Sequence, residues 1–98
     1  MKKVSKFVVE LVQRHVDELS TYTEYYTKTI GILNKKPSNE VLDVLLEEQK
    51  AEILSRQRYE YTVTDNFNEN GKKIFIINEG CANDEYCISV KEKLIAVD

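Results

Sequence analysis

No apolar run in the sequence approaches the roughly 18–20 residues that a membrane-spanning helix requires. The start, MKKVSKFVVELVQRHVDEL, is basic and then partly apolar. Glu10, Gln13, Arg14, His15, Asp17 and Glu18 break any signal-peptide core, so a reducing, cytoplasmic setting is expected. With three glycines, no glycine-rich phosphate loop exists. With two cysteines and one histidine, a four-ligand zinc site is not expected: five residues separate Cys81 from Cys87, and His15 lies far from both along the chain. In that setting the cysteines are expected as free thiols; a cross-strand disulfide would need a tight turn at Asn83-Asp84 and oxidising surroundings. No Ser, Cys or Asp sits in a nucleophile motif, so no enzymatic activity and no cofactor are expected. Excess positive charge is also missing. A net charge of -3 gives no general attraction to phosphate backbones.

The chain of 98 residues, 42% apolar and 32% charged, has the makeup of one globular domain spanning 1–98. A chain of this size buries only about 60–65% of its unfolded surface, so its stability margin is small and a partner would help.

Val4, Phe7, Val8, Leu11, Val12, His15, Val16 and Leu19 recur at steps of three and four, which predicts a helix. The stripe continues through Tyr22, Tyr26, Ile30 and Leu33, although STYTEYYTKTIGIL is also rich in strand-forming Thr, Tyr and Ile. The helical reading gives a first helix over about 4–33, stopped before Pro37. Ser38 as N-cap and Glu40 in the first turn open a second helix over about 39–57. Alternation then predicts strands over about 59–67, 73–78, 86–91 and 94–97, with Ile74–Ile77 central. The expected fold class is α+β: a long N-terminal helical hairpin of two antiparallel helices, then a three- to four-stranded antiparallel sheet.

Asn66, Asn68, Asn70 and Gly71 carry the spacing of the first half of a calcium loop. The twelfth position falls on Ile77, which has no side-chain oxygen, so no metal is expected. Asn70-Gly71 reads instead as a two-residue hairpin turn, placing Glu69 opposite Lys72, Phe67 opposite Ile74, Asp65 opposite Ile76 and Val63 opposite Asn78.

A first helix of that extent would be about 45 Å long, against a radius of gyration of about 12.6 Å for a compact chain of this size. It would overhang its domain, which predicts a homodimer. Tyrosine-rich surface supports contact with another protein. The expected function is a small protein-interaction module, a homodimeric regulator or inhibitor, a profile shared by small inhibitors carried on phages and mobile elements. Its expected contact residues are Tyr25, Arg56, Arg58, Tyr59, Lys72 and Lys73. His15, on the apolar stripe, reads as a packed or interface-edge histidine rather than a general base. The alternatives are a nucleic-acid binder with Lys72 and Lys73 on a β-hairpin wing, and a small-molecule or nucleotide binder.

Overall fold

A computed structural model describes residues 2–97. Its elements are β1 (Lys2–Asp17), β2 (Tyr22–Leu33), α1 (Asn39–Ser55), β3 (Thr62–Phe67), β4 (Lys73–Glu79) and β5 (Ala82–Val97). All five strands form one antiparallel sheet in the order β2-β1-β5-β4-β3. The expected helical hairpin is absent. Residues 2–33 form a β-hairpin, and α1 is the sole helix among the described residues. The overhanging first helix, on which the dimer expectation rested, therefore disappears.

The reason lies in the spacing. Val4, Val8, Val12 and Val16 are four apart, and four residues return to the same side of both a 3.6-residue helix and a two-residue pleat. Val9 separates the two readings. It lies off the helical stripe, yet it is fully buried, at 0% exposure. In β1, FVVELV is apolar on both parities, and Val8 and Val9, on opposite faces of this interior strand between β2 and β5, are both buried. Five β-branched valines further favour extended backbone.

The helix crosses from β2 on one edge of the sheet to β3 on the other, packing on β4 and β5. Ser38 caps it by accepting a hydrogen bond from the Val41 amide at 3.3 Å. Leu46 is its one buried side chain and joins Val9, Leu11, Phe75, Ile77, Tyr86 and Ile88 in the core, with Leu42, Leu45, Ile53 and Leu54 at the margin. The rings of Phe75 and Tyr86 stack at 4.7 Å. Burial pushes the Tyr86 hydroxyl up to about 12. Lys50 ties α1 to β3 by donating to Asp65 at 2.8 Å.

The β3–β4 connection is not the expected two-residue turn. Asp65 faces Phe75, Thr64 faces Ile76 and Val63 faces Ile77, one residue away from the predicted register. The Gly71 amide donates to the Asn68 carbonyl, and the Asn68 amide to that of Lys72. Gly71 has φ +75, whereas Asn70 is not in the left-handed region, so this is a type I turn closed by a glycine bulge. The one-residue shift turns every facing pair over to the opposite side of the sheet. The Asn68 carboxamide oxygen accepts from the Asn70 and Lys72 amides, which makes it a turn brace.

The molecule measures 50 × 28 × 27 Å with a radius of gyration of 15.6 Å. Its length comes from β1 and β5, whose 16 residues each span about 50 Å at strand rise. Beyond the body of the sheet, Lys2–Lys6 and Lys93–Val97 pair as a two-stranded ribbon.

Candidate functional site

Val9 and Leu11 of β1 are buried with Leu46 of α1, and Ile30 and Leu33 of β2 pack against them, so the sheet surface left open on the helix side is the far part of the β1–β2 hairpin, Gln13–Asp17 and Tyr22–Lys28. The side chains there are fixed by register. Gln13 pairs with Tyr26, His15 with Glu24 and Asp17 with Tyr22 across β1–β2, while His15 faces Asp84 and Gln13 faces Tyr86 across β1–β5. The result is a strip with two open hollows. One, of about 340 Å³, lies between the C-terminal half of α1 and β2 and includes Gln49, Ile53, Arg56, Tyr26 and Lys28. The other lies over His15, Asp84, Glu24 and Tyr22. Gln13 and Tyr26 border both.

Asp84 is the polar centre of this strip. One of its oxygens lies 2.6 Å from His15 Nδ1 and accepts from Gln13 Nε2 at 3.0 Å. That hydrogen bond raises the His15 pKa above its ordinary 6.5; partial burial opposes the shift, and the charges of Asp84, Glu24 and Asp17 add to it. His15 is thus partnered and part-buried, at the edge of the core, beyond Leu11 along β1. Glu24 also raises the Tyr22 pKa, chiefly by hydrogen bonding. No nucleophile is placed against His15, and no group of three or more potential metal ligands occurs among the described residues. The arrangement offers hydrogen-bonding partners and aromatic surface on a rigid strand floor.

The six expected contact residues do not form one patch. Tyr25 projects from β2 on the side away from α1, facing Arg14, and is 67% exposed. Arg56 caps the C-terminus of α1, donates to Glu52 Oε1 at 2.7 Å and borders the larger hollow. Arg58 and Tyr59 follow in an exposed loop. Lys72 and Lys73 lie at the β3–β4 turn, toward the opposite edge of the sheet, where Lys73 Nζ sits 4.0 Å from Asp43. Only Arg56 meets the strip described above. Sequence reasoning missed Gln13, Glu24, Tyr26 and Asp84. Their signal was the even parity of Tyr22, Glu24, Tyr26 and Lys28, which shows only once β2 is read as a strand.

Cys81 is exposed and Cys87 part-buried; both are free thiols. The turn falls at Gly80-Cys81, not at Asn83-Asp84, with Glu79 facing Ala82 and Gly80 at φ +57. From Cys81 the chain runs straight into β5, so the two sulfurs lie about 20 Å apart along one strand, far beyond disulfide reach. Burial and the Glu85 charge raise the Cys87 pKa.

A β2 amide or carbonyl that points away from β1 meets no backbone partner, because β2 is an outer strand and the turn and loop hydrogen bonds of the described residues do not involve it. No protein-family model, curated protein or solved structure matches this chain.

Proposed function

We propose that the protein is a binding module that regulates another protein by seating one of its segments on the β1–β2 strip beside α1. The observation that carries this reading is the strip itself: sheet surface left uncovered on the helix side, bordered by exposed Tyr22 and Tyr26, Arg56 and the His15–Asp84 pair. Tyrosine and arginine are enriched among the few residues that dominate binding at protein interfaces, because each combines large contact area with a polar tip. Asp17, Glu24 and Asp84 make the far end acidic, which suits a segment carrying a lysine or arginine. Both hollows are open to solvent, which favours a polypeptide over an enclosed metabolite.

The test is affinity capture from source cells with the wild-type chain and with Tyr26→Ala and Arg56→Ala, followed by titration of each purified captured protein. The reading expects a protein whose affinity falls about tenfold or more in both variants. Captured proteins that bind wild type and variants equally would refute it.

One observation favours a second reading, contact with a nucleic-acid backbone. Lys2, Lys3, Lys6, Lys91 and Lys93 cluster on the ribbon and its base, and Lys6 stands directly opposite Lys93. Like charges facing across strands are unfavourable without an anion. Lys91 meets Glu10 at 3.4 Å and Lys6 Nζ donates to the neutral Asn34 side chain, so among the described residues no carboxylate pairs with either member of the facing pair Lys6 and Lys93. Duplex binding that declines steeply with salt and is lost in Lys6→Ala/Lys93→Ala would support this use of the ribbon. Salt-insensitive or absent binding would dismiss it.

A further inference from the structure

We infer that a second copy of this chain pairs with the free edge of β2, joining two five-stranded sheets into one sheet of ten strands. This inference needs no partner on the strip, although Glu24 and Tyr26 border both surfaces.

The edge is long and only lightly protected. β2 runs for 12 residues, contains no proline, is unbulged from Tyr22 to Thr29, and takes no backbone hydrogen bond from a turn or loop among the described residues. Such an edge is a template for another strand. It carries just two charged residues, Glu24 and Lys28, and neither forms an ion pair among the described residues.

Those two charges select the partner and the register. Two copies pairing antiparallel through the same strand are related by a two-fold axis perpendicular to the sheet. That axis keeps both helices on one side, so residues of like parity must face each other. Centring the axis on Glu24 or Lys28 sets like charges together. Centring it on Tyr25 faces Glu24 with Tyr26 and Lys28 with Tyr22; centring it on Thr27 faces Lys28 with Tyr26 and Glu24 with Ile30. The axis through Tyr26 alone puts Glu24 opposite Lys28 of the second copy, and does so twice. In that register Tyr26 meets its own mate, Tyr25 faces Thr27 and Thr23 faces Thr29, so all other facing pairs are uncharged. The pairing ends where β2 bulges: Gly31 pairs with Val9 and Thr29 with Glu10, leaving Ile30 as the extra residue.

Geometry leaves room for this. α1 packs on β4 and β5, so β1 separates it from the edge. In the dimer the two open strips lie side by side, forming a trough floored by β1 and β2 of each copy and flanked by the two helices. At strand spacing the floor is about 20 Å wide.

The test is a charge swap read by light scattering after size exclusion. Wild type at about 100 μM is expected as a dimer. Glu24→Lys and Lys28→Glu each replace two attractive facing pairs with two repulsive ones, so each alone is expected to raise the dissociation constant about tenfold or more. Mixing the two variants restores opposite charges in a heterodimer, which unfolded chains would not do, so the mixture separates lost pairing from lost folding. Wild type that is monomeric at this concentration overturns the inference. So does a dimer indifferent to both single changes, or a mixture that stays monomeric. A monomer whose β2 amides gain protection only when another protein is added would assign the edge to that protein and also overturns self-pairing.

Discussion

Thr21 is the only non-glycine residue with positive φ among the described residues, at +53°, in the turn between β1 and β2. A β-branched side chain in left-handed backbone carries roughly 1–3 kcal/mol of strain. Replacing it with glycine removes that strain, while the extra freedom of the unfolded chain costs about 0.5–1 kcal/mol. The exposed hydrogen bond from Thr21 Oγ1 to the Ser20 carbonyl, 2.6 Å, is lost as well and is worth little in water. Thr21→Gly is therefore expected to stabilise the protein by about 1 kcal/mol, raising Tm by about 4–8 °C for a domain of this size. In a continuous helix the same change would instead destabilise by about 0.3 kcal/mol, because glycine is a poorer helix former than threonine. Urea denaturation and calorimetry at fixed protein concentration read the sign directly. A fall in stability would refute the turn, and with it the hairpin that replaces the first helix.

Leu46 is 3% exposed and is the single buried residue of α1, so Leu46→Ala should cost about 2–5 kcal/mol by urea titration, whereas Val44→Ala, 57% exposed on the same helix, should cost well under 1. Equal effects would mean that α1 is docked by another face. His15 has a raised pKa when folded, so the stability from its pairing with Asp84 is fully present below the unfolded value of about 6.5 and is lost as pH rises through the folded value. The stability gap between wild type and Asp84→Asn should accordingly be largest near pH 6 and shrink toward pH 9; a gap that widens with pH would contradict the pairing.

The features legible in the sequence were those set by local chemistry. Ser38, Glu40 and the leucines after them specify α1 within a short window, and the Ser38 side chain holds the Val41 amide as a cap should. The apolar run Ile74–Ile77 marks a strand inside the sheet, and β4 lies between β5 and β3, although β5 holds the centre; Phe75 and Ile77 are buried with Leu46, while Ile76 on the other face is only part-buried. What stayed hidden depends on partners distant in the chain. Valines at intervals of four satisfy helix and strand alike, and β1 is settled as a strand by pairing on both sides, with β2 and with the sequence-distant β5. The β3–β4 register went astray by one because Asn-Gly serves both a two-residue turn and a bulged three-residue loop. The backbone of Asn70, not its identity, decides between them. The candidate strip was invisible for the same reason, since Gln13, Glu24 and Asp84 share a surface only when three strands are in register.

Amide hydrogen exchange across residues 22–33, followed by NMR in dilute and concentrated samples, tests the central claim that this segment is the outer strand of the sheet with an edge open to a second copy. In dilute solution protection should alternate along β2, with amides facing β1 slow and the others fast, and residues 23–29 should become slow throughout as concentration rises. Unbroken protection at every concentration, with the close sequential amide contacts of a helix, would contradict the sheet; alternation that never responds to concentration would contradict the open edge's use by a second copy.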